Sequence, residues 1–147
     1  MKTTWIVAAD SSRARIFERL GTEPKCREIA DLANPQGRAS NHDLVSDGYG
    51  YNGGGAQQAH IGSPQADAVQ HETELFSKDV SRYLDRARIE HRYDRICMIA
   101  PPQFLGLLRQ NLSKEAQKLV AEEVAKNVSW FEIKDIQEYI AKTLHAA

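Results

Sequence analysis

Trp5-Ile6-Val7-Ala8-Ala9, followed at once by Asp10-Ser11-Ser12, is the stretch on which the fold turns. An unbroken apolar run bounded by turn formers is what a strand covered on both faces requires. Asp and Ser supply the turn, because their side chains hydrogen-bond nearby backbone amides. Downstream, Arg13–Leu20 alternates imperfectly, with Ala14 and Ile16 on one side and Arg13 and Arg15 on the other. Gly21-Thr22-Glu23-Pro24 breaks the chain, and residues 25–32 form a third, weaker strand candidate. Three strands with short turns predict an antiparallel meander. A second apolar run, Ile96-Cys97-Met98-Ile99, predicts another strand covered on both faces, stopped by Pro101-Pro102.

The elements between and after these runs read as helices. From Pro64, which suits a first helical turn, Val69, Thr73, Phe76, Val80, Tyr83, Leu84 and Ala87 recur at steps of three and four and share one face. Phe104, Leu105, Leu108 and Leu112 mark a short second helix. Residues 114–126 have a helical composition, yet 119–124 also reads as a strand between two helices. Ser129 and Glu132 stand at capping-box spacing before a last helix with Ile133, Ile136, Ile140 and Leu144 as its buried stripe. Three strands, a long loop, then helix–strand–helix–(strand)–helix give a mixed sheet with helices packed on it, an α/β layered domain.

The 147 residues suit one domain, 1–147. Nineteen Lys and Arg against 20 Asp and Glu leave no basic tail for a strong non-specific hold on nucleic acid, so any such contact must be local. No apolar run approaches a membrane span, and the amino terminus has no signal-peptide core, so a cytoplasmic location without membrane partner is expected. Cys26 and Cys97, set in apolar-patterned segments, read as reduced thiols with no disulfide-linked partner.

Residues 34–63 are different material. They hold seven of the nine glycines and three charges, Arg38, Asp43 and Asp47. A stretch this long without periodicity is a functional loop or a disordered segment. Within it, Gly53-Gly54-Gly55 lets the backbone approach a partner closely, and Gln57, Gln58 and His60 beside the glycines offer hydrogen bonds and stacking to bases. The segment is not a phosphate-binding loop, since no Gly-Lys-Ser/Thr follows. His42 and His60 form only a loose set with Asp43 and Asp47, without the paired spacing of a zinc site. Asp10 lies where a metal-binding carboxylate would sit at a strand end, but Ala100-Pro101-Pro102-Gln103 supplies no second acid, so Asp10 reads as a turn former and no metal is expected. Lys78, Arg82 and Arg86 line one helical stripe; Asp79, Asp85, Glu90 and Asp94 interleave, which makes it a solvated, self-paired face.

Trp5-Ile6-Val7-Ala8-Ala9-Asp10 with Ala14-Arg15-Ile16-Phe17, Asn34-Pro35 with Gly37-Arg38, Leu44-x-Ser46-Asp47, and Ala100-Pro101-Pro102-x-Phe104-Leu105-Gly106-x-Leu108-Arg109 together resemble the bacterial family of host attachment proteins. That family is similar to the central domain of archaeal and eukaryotic class-1 release factors and of Pelota. The resemblance implies a ribonuclease H-like sheet, three antiparallel strands followed by alternating helices and strands, and favours the strand reading of 119–124. In release factors a Gly-Gly-Gln loop between the third strand and the first helix triggers peptidyl-tRNA hydrolysis. Here Ala56 separates Gly53-Gly54-Gly55 from Gln57-Gln58, so no such triplet exists. Residues 126–129, Lys-Asn-Val-Ser, also depart from the Lys-Asp-Leu-Thr of the pattern. The flanking domains of release factors have no counterpart in 147 residues, so full release-factor action is not expected.

The resulting expectation is a non-catalytic cytoplasmic domain, without cofactor, that associates with the ribosome, rRNA or tRNA. Asp47, Gly53, Gly54, Gly55, Gln57, Gln58 and His60 are its binding candidates, with Arg38 and Arg109 as phosphate contacts. Two alternatives stand beside it: an indirect role in attachment to host cells, and a divergent peptidyl-tRNA hydrolase or nuclease acting through Gln57 or Asp10.

Overall fold

A computed structural model describes residues 1–34 and 64–144. The meander forms as expected: β1 (Thr3–Ala9), β2 (Arg13–Leu20) and β3 (Arg27–Ala33) pair antiparallel in sequence. Helix α1 (Pro64–Ile89) then crosses over to β4 (Arg95–Ala100). Helix α2 (Pro102–Asn111) and the single turn α3 (Lys114–Gln117) lead to β5 (Val120–Ala125), and α4 (Ile133–Thr143) closes the described chain. The sheet order is β3-β2-β1-β4-β5, with β4 parallel to β1 and β5 parallel to β4. This is the ribonuclease H-like layered arrangement. Residues 114–126 thus satisfy both sequence readings in turn, since Ser113 caps one helical turn before the chain extends into an edge strand.

The unbroken apolar runs are explained by two cores. Side chains of a strand alternate between faces, so Trp5, Val7 and Ala9 of β1 join Ile96, Met98 and Ala100 of β4 under α1 and α2. Ile6 and Ala8 join Cys97 and Ile99 on the other face, covered by Ile136, Ile140 and Leu144. On the first face, Phe76, Val80, Leu84 and Ala87 are the buried stripe of α1, and Phe104, Leu105 and Leu108 that of α2. Tyr93 packs its ring 4.9 Å from Trp5 and donates its hydroxyl to the Leu84 carbonyl at 2.7 Å; burial pushes its pKa up to about 12.

The α4 face buries charge, and the start of α4 differs from expectation. Arg15 and Arg19 of β2 are buried there, 3% and 6% exposed, although charged side chains are rarely interior unless paired. Arg15 forms a two-bond ion pair with Glu28 and also donates to the carbonyls of Ser129 and Phe131. Moreover, α4 is not opened by a capping box. Glu132 is the residue that precedes the helix and it makes no side-chain cap, while the Ser129 hydroxyl is drawn instead to Asp10. Ile133, expected in the buried stripe, is 51% exposed. Among the described residues no helix is long and apolar enough to cross a membrane.

Candidate functional site

Because β1, β4 and β5 run parallel, the residues that follow them, Asp10, Pro101 and Asn127, emerge at one end of the sheet. Crevices at the carboxyl ends of such strands are where open α/β sheets bind ligands. Asp10 organises this end. Its carboxylate is nearly buried, 8% exposed. Oδ1 accepts the backbone N–H groups of Ser12 (2.8 Å) and Arg13 (3.0 Å), the turn-forming role read from the sequence. Oδ2 accepts from the Trp130 indole at 2.7 Å, the Asn127 amide at 3.3 Å and the Ser129 hydroxyl at 3.0 Å, whose one proton it shares with Asn127 Oδ1 at 2.8 Å. One carboxylate therefore shapes the β1–β2 turn and holds the connection from β5 to α4 against it. Both oxygens are engaged by protein donors. Among the described residues no three His, Cys, Asp or Glu side chains come together in a metal-holding group.

Two grooves flank this clasp. One, of about 330 Å³, lies between the strand ends and α1, where Asp10, Ser11, Gln103 and Asn127 face Gln70 and Thr73. The other, of about 300 Å³, is lined by Ser12, Arg13, Asp31, Ala33 and Trp130. In the second groove Arg13 is bound by Asp31 through two bonds of 2.8 and 3.1 Å. The pairing holds the Arg13 pKa above, and the Asp31 pKa below, its ordinary value, through the shared hydrogen bonds first. The Arg13 guanidinium also lies 5.0 Å over the Trp130 ring, a cation–π geometry.

The candidate residues named from sequence divide accordingly. Arg38, Asp47, Gly53, Gly54, Gly55, Gln57, Gln58 and His60 lie outside the described residues, as do His42 and Asp43. The chain that leads into them is fixed at this end of the sheet, because Asn34 donates its backbone N–H to the Ser12 carbonyl (2.9 Å) and its amide to the Ser11 carbonyl (3.1 Å). The chain that leaves them opens α1, whose Val69, Gln70 and Thr73 wall the first groove. Arg109 is not brought to either groove. It stands in the last turn of α2, roughly 9 Å along the axis from Gln103 at ~1.5 Å per residue. There it makes a two-bond ion pair with Glu123 that raises its pKa. The stripe of α1 is solvated and self-paired, with Arg82 on Asp79 and Arg86 on Glu90. Cys26 and Cys97 are buried free thiols, each with its pKa raised by burial, Cys97 to about 11, so neither is a ready nucleophile.

Sequence reasoning passed over Trp130, Asn127, Gln103 and Arg13 as site residues. The available signal was Trp130-Phe131, two aromatic residues set between a strand and a helix; they are 58% and 38% exposed.

Topology and strand-end crevices define the chain as a ribonuclease H-like α/β domain with its polar site at the carboxyl ends of β1, β4 and β5. Residues 5–140 match the family described as protein required for attachment to host cells, and the chain belongs to that family. No curated protein matches the sequence at a significant level. Among solved structures, an archaeal protein superposes with a TM-score of 0.50 at 14% identity over 96% of this chain and 33% of its own, which is a likeness of fold. An archaeal translation termination factor gives 0.49 at 10% identity over 97% of this chain and 35% of its own. A Ppx/GppA phosphatase of Aquifex aeolicus gives 0.45 at 12% identity, over 84% of this chain and 36% of its own. The chain spans about a third of the length of these structures.

Proposed function

We propose that this chain is a non-catalytic binding domain that associates with ribosomal or transfer RNA in the cytoplasm, using the glycine- and glutamine-rich residues 50–60 presented from the carboxyl ends of β1, β4 and β5. The observation that carries the reading is where the described residues on either side of that segment are held. Asn34 is tied to Ser11 and Ser12 on one side, and α1 opens against the first groove on the other. The chain thus enters residues 35–63 at the strand ends, and the second and third turns of the helix that follows them wall the polar groove there. Gly53–Gly55 supply close backbone approach, and Gln57, Gln58 and His60 supply hydrogen bonds to unpaired bases. Arg38 serves as a phosphate contact; Arg109 does so only by exchanging Glu123 for the phosphate. Asp47, just ahead of this stretch, is a further candidate contact.

Hydrolysis is not part of this reading. Ala56 interrupts the glycine–glutamine sequence, and the Asp10 carboxylate is committed to five protein donors. The attachment described for the family is, in this reading, an indirect effect.

Sedimentation of lysate through sucrose gradients at low and physiological salt tests the proposal. Comigration with ribosomes or a subunit is expected, weakening with salt as phosphate contacts do, and lost on deleting residues 50–60. Confinement to the light fractions at both salts overturns it.

A further inference from the structure

We infer that the groove between Arg13, Asp31 and Trp130 is a stacking site for one unpaired nucleobase, with the Trp130 indole as its platform. The inference rests on the RNA-binding reading above and names the part of the ligand this groove takes. Three observations converge. Trp130 is 58% exposed, unlike Trp5, which is fully buried. Its ring is nevertheless fixed, because the indole N–H is held at 2.7 Å by Asp10, itself 8% exposed and locked in the β1–β2 turn. A large aromatic surface held open in one orientation binds without the entropic cost of ordering it. Arg13 lies 5.0 Å over one face of the ring, which shows that the indole takes a planar group in stacking geometry, and the 58% exposure of Trp130 leaves indole surface for a second one.

Charge decides between base and phosphate. Asp31 binds the Arg13 guanidinium through two hydrogen bonds, so the pair brings no net charge to the groove. A phosphate would have to displace Asp31, and it would approach a carboxylate. A base needs only the flat ring and polar groups at its edge, and Ser12 and Asp31 provide those. At about 300 Å³, the groove is at the lower end of small-ligand sites, the size for one ring system and not for a folded peptide.

Trp130 emission reports on this directly, since the buried Trp5 is shielded from a ligand in the groove. Titration of the full chain with AMP and with a short oligoadenylate RNA should quench Trp130 saturably, with little dependence on salt for AMP and a weakening with salt for the RNA. Quenching by both assigns the site to mononucleotides and RNA alike; quenching by RNA alone assigns it to a base within a strand. Anisotropy of a labelled oligoadenylate should show W130F within a few-fold of the natural protein and W130A weakened roughly ten- to a hundredfold, the range of base–aromatic stacking. The unmodified protein's quenching stands as evidence even if W130A does not fold. RNA binding with Trp130 unquenched and W130A unchanged overturns the stacking site and leaves the RNA reading intact. AMP quenching without any RNA binding overturns the RNA reading and leaves the stacking site. Neither signal overturns both.

Discussion

The two faces of the sheet are held by different physics. The α1/α2 face is apolar packing: Trp5, Leu84, Met98 and Leu108 are all fully buried there. The α4 face has a smaller apolar cluster, and its connection to β5 is stitched down by polar groups, Asp10 on the indole of Trp130 and Arg15 on the carbonyls of Ser129 and Phe131. Non-directional burial stabilises the first layer, whereas oriented hydrogen bonds position the second. The grooves at the strand ends depend on that positioning. The first face accounts for stability and the second for the shape of the site.

The largest expected effect falls on the apolar face. Leu84→Ala or Leu108→Ala removes a fully buried side chain and should cost about 2–5 kcal/mol in denaturant unfolding, with Trp130 emission of the folded protein unchanged. Next is Arg15→Met, which leaves Glu28, 17% exposed, without its partner and two carbonyls without their donor. A loss of about 3 kcal/mol is expected, this time with a change in Trp130 emission, because the loop that carries it is freed. If both variants move Trp130 equally, the division between the faces does not hold.

Tyr93 makes the apolar face sensitive to pH. Its folded pKa is raised from 10.0 to about 12, chiefly by burial. A raised acid pKa contributes stability that is fully present below the unfolded value and lost as pH rises toward the folded one. The natural protein should therefore lose about 2–3 kcal/mol between pH 10 and 12, and Tyr93→Phe should lose less over the same window in matched denaturant titrations. Asp10→Asn comes next. It keeps the shape but replaces one carboxylate oxygen by a donor facing other donors, and should cost about 1–3 kcal/mol while raising Trp130 accessibility to acrylamide. The smallest effect is Arg82→Ala, on an exposed pair with Asp79, expected within about 0.5 kcal/mol.

How much of this was legible in the sequence follows the same division. The β1 and β4 runs and the stripes of α1 and α2 declared themselves, because periodic burial leaves periodic composition. β5 was ambiguous, since Glu122 and Glu123 sit in an edge strand that is half exposed and whose composition also suits a helix. The start of α4 was misread, because Ser129 at capping-box spacing bonds a carboxylate 119 positions away that only the fold delivers. For the same reason nothing in the local alternation of β2 marks Arg15 as buried. Polar residues satisfied by distant partners leave no local pattern, and the site is made of such residues. The glycine-rich segment stood out by composition alone.

The measurement that bears most directly on the account is backbone hydrogen exchange of the full chain with and without ribosomal RNA. Added protection is predicted at the carboxyl ends of the parallel strands: the β1–β2 turn around Asp10–Arg13, the second and third turns of α1 around Val69–Thr73, and residues 127–131. Protection concentrated instead at the opposite end, around His91–Asp94 and Glu115–Leu119, or absent altogether, would contradict it.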